Sequence, residues 1–94
     1  MSLPINELST TIPISYRFFD KNQQYQGICT TLTDNKLIFN TDSSIKTGWA
    51  LEVTLSPQQL SGVSFTALIE VESSTRIDHQ HFEISAIIST IKAH

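Results

Sequence analysis

The sequence predicts a small all-β protein, a six-stranded antiparallel barrel. Short segments in which every second residue is apolar recur along the chain, and clusters of turn-forming residues separate them. No segment has the apolar spacing of a long helix, and the abundant Ser and Thr suit the outer surface of a sheet. We favour a closed barrel over a sandwich because closure removes the exposed strand edges through which small sheets aggregate.

The first three strands are expected in the N-terminal half. Their inward faces follow a two-residue spacing: Ile12, Ile14, Tyr16 and Phe18 within residues 12–19, then Ile28, Thr30 and Leu32 within residues 25–33. Turn residues occupy 20–22 and 33–36, because Asp and Asn tolerate turn geometry. The third strand begins at Leu37-Ile38-Phe39, and a polar connection at 42–48 follows.

The other three strands repeat the same spacing. Their predicted inward residues are Trp49, Leu51, Val53 and Leu55; then Phe65, Ala67, Ile69 and Val71; and finally Phe82, Ile84, Ala86 and Ile88. We therefore expect Trp49 and Phe82 to be buried. Pro57 and Gly62 predict a loop over 56–62, residues 76–80 predict a turn, and residues 89–94 have room for at most a short C-terminal helical turn.

Length and charge limit the function classes. Ninety-four residues fit one domain, taken as 1–94. A net charge of −3 with scattered basic residues argues against binding a nucleic-acid polymer. No apolar run reaches the roughly 18–20 residues of a membrane helix, and no signal-peptide pattern opens the chain, so membrane insertion is not expected. The single cysteine, Cys29, is typical of a reducing cytoplasm.

A metal site is conceivable at His79-Gln80-His81. Residues two apart share one face of a strand, so both imidazoles could reach one ion. A zinc site needs a third ligand and usually a fourth, and Asp78 and His94 are the plausible additions. A solvated hairpin turn explains the same residues more simply, and we predict no bound metal.

Catalytic residues are not evident. Cys29 lies mid-strand, away from the Ile28-Thr30-Leu32 face, and has no histidine near it in sequence. The acidic residues divide into a turn set, Asp20, Asp34, Asp42 and Asp78, and an outward strand pair, Glu70 and Glu72. Neither set predicts carboxylates converging in a cleft, and no glycine-rich phosphate loop or cofactor motif is present. The expectation is a non-enzymatic protein.

The order of the segments resembles the bacterial PilZ domain family over about residues 12–91. The matching stretches are Ile14-Ser15-Tyr16, Gly27-Ile28, Thr31-Leu32-Thr33, Leu37-Ile38-Phe39, residues 45–51, residues 66–72, and residues 82–86 leading to Ile91. The resemblance implies a six-stranded barrel. It also suggests a role connected with cyclic di-GMP, which many members of that family bind.

Two nucleotide-binding motifs of that family differ in this chain. An arginine pair is expected ahead of the first strand, but Asn6, Glu7, Leu8 and Ser9 occupy that region. The Asp/Asn-x-Ser-x-x-Gly turn is replaced by residues 31–36, which keep a hydroxyl at Thr33. Two lost charge-assisted contacts, at roughly 1.5–3 kcal/mol each, would make micromolar binding negligible.

We therefore expect an adaptor that binds a bacterial signalling or motility protein, for instance in pilus assembly. The alternative is a genuine cyclic di-GMP receptor that uses the substitute residues Arg17, Thr33 and Lys36. A small hydrolase or metal enzyme, and an unrelated barrel with a coincident strand pattern, are the remaining possibilities. No cofactor is expected.

Overall fold

The computed structural model describes residues 11–55 and 64–93. Six strands make up this part of the chain: β1 (Ile12–Phe18), β2 (Tyr25–Leu32), β3 (Lys36–Thr41), β4 (Ala50–Leu55), β5 (Phe65–Arg76) and β6 (Phe82–Ala93). They close into one antiparallel barrel in the order β1-β2-β3-β6-β5-β4, which confirms the predicted fold class. The loop predicted over 56–62 lies outside the described residues. No helix in the described part is long and apolar enough to cross a membrane.

Two three-stranded meanders form the barrel. β1-β2-β3 and β4-β5-β6 each fold back through successive antiparallel pairs, and the meanders meet at two seams. One seam pairs β1 with β4, from Ile14 opposite Leu55 to Phe18 opposite Leu51. The other pairs β3 with β6, from Lys36 opposite Ile87 to Thr41 opposite Phe82. Each meander thus covers the apolar face of the other.

The inward residues form one core. All are nearly inaccessible to solvent, and the largest are Tyr16, Phe39, Ile12, Leu37, Ile45, Leu51, Leu55, Ile69 and Ile84. Burying a Leu, Ile or Phe side chain contributes roughly 1.5–3 kcal/mol, so this layer is the main source of stability. Ile45 comes from the polar connection between β3 and β4 and inserts into the core cluster.

A β-bulge in β2 corrects one sequence prediction. Opposite β3, the register shifts between Cys29 and Thr31, which inserts one extra residue. Strict alternation placed Ile28, Thr30 and Leu32 inward, but Ile28 is 40% exposed and Cys29 is completely buried. Because the bulge adds one residue, the inward positions of β2 change from odd to even numbers. Cys29 and Leu32 therefore both point into the core although they are three positions apart.

Trp49 corrects a second prediction. It precedes β4 and is 44% exposed, whereas its register with Leu51 predicted burial. Its carbonyl accepts a 2.9 Å hydrogen bond from the amide of Val71, so backbone pairing does reach this position. The side chain lies at the rim of the barrel, where it packs edge-on against Phe18 with 5.0 Å between ring centroids. Phe82, also expected inside, is partly buried against the core, with the Arg76 guanidinium 5.6 Å from its ring.

The C-terminal segment corrects a third prediction. In place of a helical turn, β6 continues as a strand to Ala93 and pairs with the start of β5, where Ala93 lies opposite Phe65. The β5–β6 ladder has two irregularities, one between the Leu68 and Ile69 pairings and one between the Val71 and Ser73 pairings. At the other end of the hairpin, β5 continues past Val71 to Arg76 with a largely exposed, polar sequence.

Gly27 supplies a packing test. A Cβ atom at this position would lie 2.9 Å from the carbonyl oxygen of Asn40 and 3.2 Å from Cδ2 of Phe39. Gly27→Ala is therefore expected to destabilise the protein by about 1–3 kcal/mol through overpacking, measured by urea unfolding. Gln26→Ala, at the exposed neighbouring position, is the control and should stay within about 0.5 kcal/mol of the parent. Equal stability of Gly27→Ala and the parent would contradict the close approach of β2 and β3.

Candidate functional site

Arg17 lies on the outer face of β1 and is engaged in an ion pair. Its Nε donates a 2.9 Å hydrogen bond to Oε1 of Glu52, the residue directly opposite on β4. A terminal guanidinium nitrogen also donates to the Lys21 carbonyl at 3.4 Å. Both side chains of the pair are about 30% exposed, at 29% and 32%. Binding a nucleotide phosphate through Arg17 would require breaking this local pairing.

Thr33 and Lys36 lie together in the β2–β3 turn. The Thr33 hydroxyl accepts hydrogen bonds from the amides of Asn35 and Lys36, at 3.3 and 3.0 Å, and donates to Oδ1 of Asn35 at 3.0 Å. These are the bonds of a side-chain-stabilised turn. The Lys36 ammonium lies 3.5 Å from a carboxylate oxygen of Glu72. The Thr33 hydroxyl and the Lys36 ammonium therefore both have partners within the chain already.

The three candidate nucleotide-binding residues do not converge. Tyr16 pairs with Tyr25, which places Arg17 level with the start of β2, whereas Thr33 follows the end of β2. At about 3.3 Å per residue, roughly 25 Å of strand separates Arg17 from the Thr33 turn. A single nucleotide pocket cannot use Arg17 together with Thr33 and Lys36. The positions of the missing arginine pair, Asn6 to Ser9, lie outside the described residues.

Cys29 is a packed core residue. Its side chain is fully buried, and its thiol donates a 3.3 Å hydrogen bond to the Thr31 carbonyl within the bulge. Burial raises the pKa of the Cys29 thiol to about 11, because the thiolate would lose its hydration. This environment is opposite to the electropositive, accessible setting that activates a cysteine nucleophile.

The histidine candidate lies at the tip of the β5–β6 hairpin. Nδ1 of His81 is 2.8 Å from a carboxylate oxygen of Asp78, whose other hydrogen bond comes from the amide of Gln80. The Gln80 amide and then His81 lower the pKa of the Asp78 carboxyl. These contacts stabilise the turn itself. Across residues 11–55 and 64–93, no three His, Cys, Asp or Glu side chains are grouped as metal ligands, and His94 lies outside the described residues.

A buried polar pair crosses the barrel interior. The Tyr16 and Thr41 hydroxyls share a 2.6 Å hydrogen bond, and the Thr41 hydroxyl also lies 3.3 Å from the Gln26 carbonyl that it can donate to. Burial raises the pKa of Tyr16 more than the bond to Thr41 lowers it. Tyr16 stacks on Tyr25 with ring centroids 5.5 Å apart, so the pair is enclosed by aromatic packing. Its role is structural.

Two depressions on the barrel surface are lined by residues that the structure describes. The β2–β3 groove, of about 290 Å³, is lined by Pro13, Gln26, Gly27, Ile28, Asn40, Thr41, Asp42 and His81. The aromatic pocket, of about 230 Å³, is lined by Phe18, Phe19, Asp20, Trp49 and Ala50. Within the aromatic pocket, two large aromatic side chains are exposed to solvent: Phe19 by 50% and Trp49 by 44%.

Strict alternation did not predict the aromatic pocket, yet the sequence contains a signal for it. Phe18 and Phe19 are consecutive, and two consecutive residues of the predicted strand 12–19 could not both face the core. One aromatic ring of the pair therefore had to reach the surface at the end of β1. The position of Trp49 beside it follows from barrel closure, since the start of β4 lies against the end of β1.

No family model matches the chain, and a search of the curated proteins finds no match.

Thiol labelling tests the assignment of Cys29. With a pKa of about 11 in place of the ordinary 9.0, the Cys29 thiol has about 100-fold less thiolate at pH 8, and burial slows access of the reagent further. Reaction with a thiol-specific disulfide reagent should therefore be at least 100-fold slower for the folded protein than in urea. Since the chain has one cysteine, the signal needs no deconvolution. Rapid labelling of the folded protein would instead identify an accessible, activated thiol.

Proposed function

We propose that this barrel is a PilZ-like signalling adaptor, acting in the bacterial cytoplasm by binding a protein in cyclic di-GMP-related control of motility or pilus assembly. It does not bind the nucleotide in the manner of that family. The strand order and the closed six-stranded barrel are compatible with this class. The resemblance of residues 12–91 to the PilZ family is the reason for proposing a role in cyclic di-GMP-related control.

One observation carries the adaptor function over the receptor alternative. The chain's substitutes for the nucleotide-binding residues lie at opposite ends of β2, and each is already paired: Arg17 with Glu52, Lys36 with Glu72, and Thr33 within its own turn. Arginine is effective toward guanine and phosphate when two donors are free in one plane. Here Nε of Arg17 is directed at Glu52.

The exposed aromatic residues support a protein as partner. Protein interfaces are enriched in aromatic residues, and hot spots are commonly Trp, Tyr or Arg. Trp49 and Phe19 are both exposed at the rim of the barrel where β1 ends and β4 begins. Leaving two large aromatic side chains in water is unfavourable unless a partner covers them.

Titration with cyclic di-GMP tests the proposal. For the whole chain, calorimetry should give a dissociation constant weaker than about 100 μM, which corresponds to less than roughly 5.5 kcal/mol of binding. Arg17→Ala should leave this weak binding unchanged, because Arg17 is engaged by Glu52. A low-micromolar dissociation constant that is lost in Arg17→Ala would establish the receptor instead of the adaptor.

A further inference from the structure

We infer that the aromatic pocket binds a cationic side chain, arginine or lysine, presented by a partner polypeptide. This inference rests on the proposed function, since it specifies what a protein-binding barrel would recognise. Cations lie favourably over aromatic faces, most strongly over tryptophan, and a nearby carboxylate adds a direct ion pair. The pocket combines Trp49, Phe18 and Phe19 with one acidic side chain, Asp20.

The charge at the pocket is uncompensated. Asp20 forms no ion pair or hydrogen bond with any residue that the structure describes. The nearest arginine in sequence, Arg17, is held by Glu52. Lys21 and Lys46 neighbour the pocket in the chain but do not line it. An apolar occupant would strip water from the Asp20 carboxylate without replacing its partner, which is costly, whereas a cation would satisfy it.

The ring arrangement leaves aromatic surface available. Phe18 packs inward against the core and meets Trp49 nearly at right angles, with an interplanar angle of 84°. This contact supports the indole from one side, while 44% of Trp49 and 50% of Phe19 remain accessible. A volume of about 230 Å³ is below the roughly 300–1,000 Å³ of small-molecule sites, and is suited to a single side chain.

The same charge disfavours a second copy of the chain as occupant. A two-fold symmetric contact brings the same patch of both molecules together. Two Asp20 carboxylates would then approach one another at an apolar contact, and like charges in such a setting are unfavourable. A partner carrying a basic residue avoids this repulsion.

Trp49 is the single tryptophan of the chain, so its fluorescence reports directly on the pocket. The probe is a short acetylated and amidated peptide of alternating glycine and arginine, and the matched peptide replaces each arginine by citrulline, which is neutral and of similar shape. We expect a saturable change in Trp49 emission with the arginine peptide and a dissociation constant at least about fivefold weaker with the citrulline peptide.

Asp20→Asn should weaken binding of the arginine peptide by about two- to fivefold. Asp34→Asn removes the same charge from the β2–β3 turn, away from the pocket, and should leave the affinity unchanged. Trp49→Leu keeps an apolar side chain but removes the aromatic face, and should weaken binding by about fivefold in calorimetry. Thermal unfolding of each variant verifies that the barrel is intact.

Four results would overturn the inference. These are no binding of the arginine peptide, equal affinity for the citrulline peptide, equal weakening by Asp34→Asn and Asp20→Asn, or a concentration-dependent dimer that Trp49→Leu abolishes. The two proposals fail separately: tight cyclic di-GMP binding removes the adaptor function whatever the peptide does. Absence of peptide binding, with cyclic di-GMP also unbound, removes the cation pocket alone.

Discussion

Pairing between β1 and β4 is the constraint on which the rest of the structure depends. Along this seam Tyr16 lies opposite Val53 and Phe18 opposite Leu51, so the apolar faces of the two meanders are held in register. A single three-stranded sheet of this length would expose one apolar face and two open edges. Closing this seam pairs the open edges of β1 and β4, while the β3–β6 seam pairs the other two edges. It also places the end of β1 beside the start of β4. The aromatic pocket exists because of that last consequence.

Alternation along the chain was sufficient to predict the strands and most of the core. Leu51, Val53 and Leu55 are buried as predicted, and so are Ile69 and Ala86, because each lies in a stretch where the two-residue period is unbroken. The period fails where the backbone departs from a regular ladder. In β2 the bulge after Cys29 exchanges inward and outward positions. Thr30, the extra residue, is an ordinary strand residue, so the sequence gives no sign of the bulge. At Trp49 the period holds but the core has ended, so an inward register no longer means burial.

The candidate site could be predicted less well than the fold, for a physical reason. Whether Arg17 is free depends on the residue opposite it, and Glu52 becomes its neighbour only through closure of the β1–β4 seam, 35 positions away in sequence. The Thr33 turn was recognisable locally, because its hydrogen bonds involve residues within three positions. Which side chains from distant parts of the sequence come together is decided only when the barrel closes. The sequence alone therefore could not locate a surface at which distant side chains meet.

The connection between β3 and β4 affects how the barrel assembles as well as how it is capped. Because both seams join one meander to the other, two molecules could in principle exchange halves and form the same ladders between chains. Ile45 opposes such an exchange by entering the core. Gly48, at a φ of 91°, turns the chain so that its amide donates a 2.7 Å hydrogen bond to Val71. In an exchanged dimer the β3–β4 connection would have to extend, which would remove Ile45 from the core and strain the hydrogen bond between Gly48 and Val71. The connection therefore favours a barrel closed within one chain.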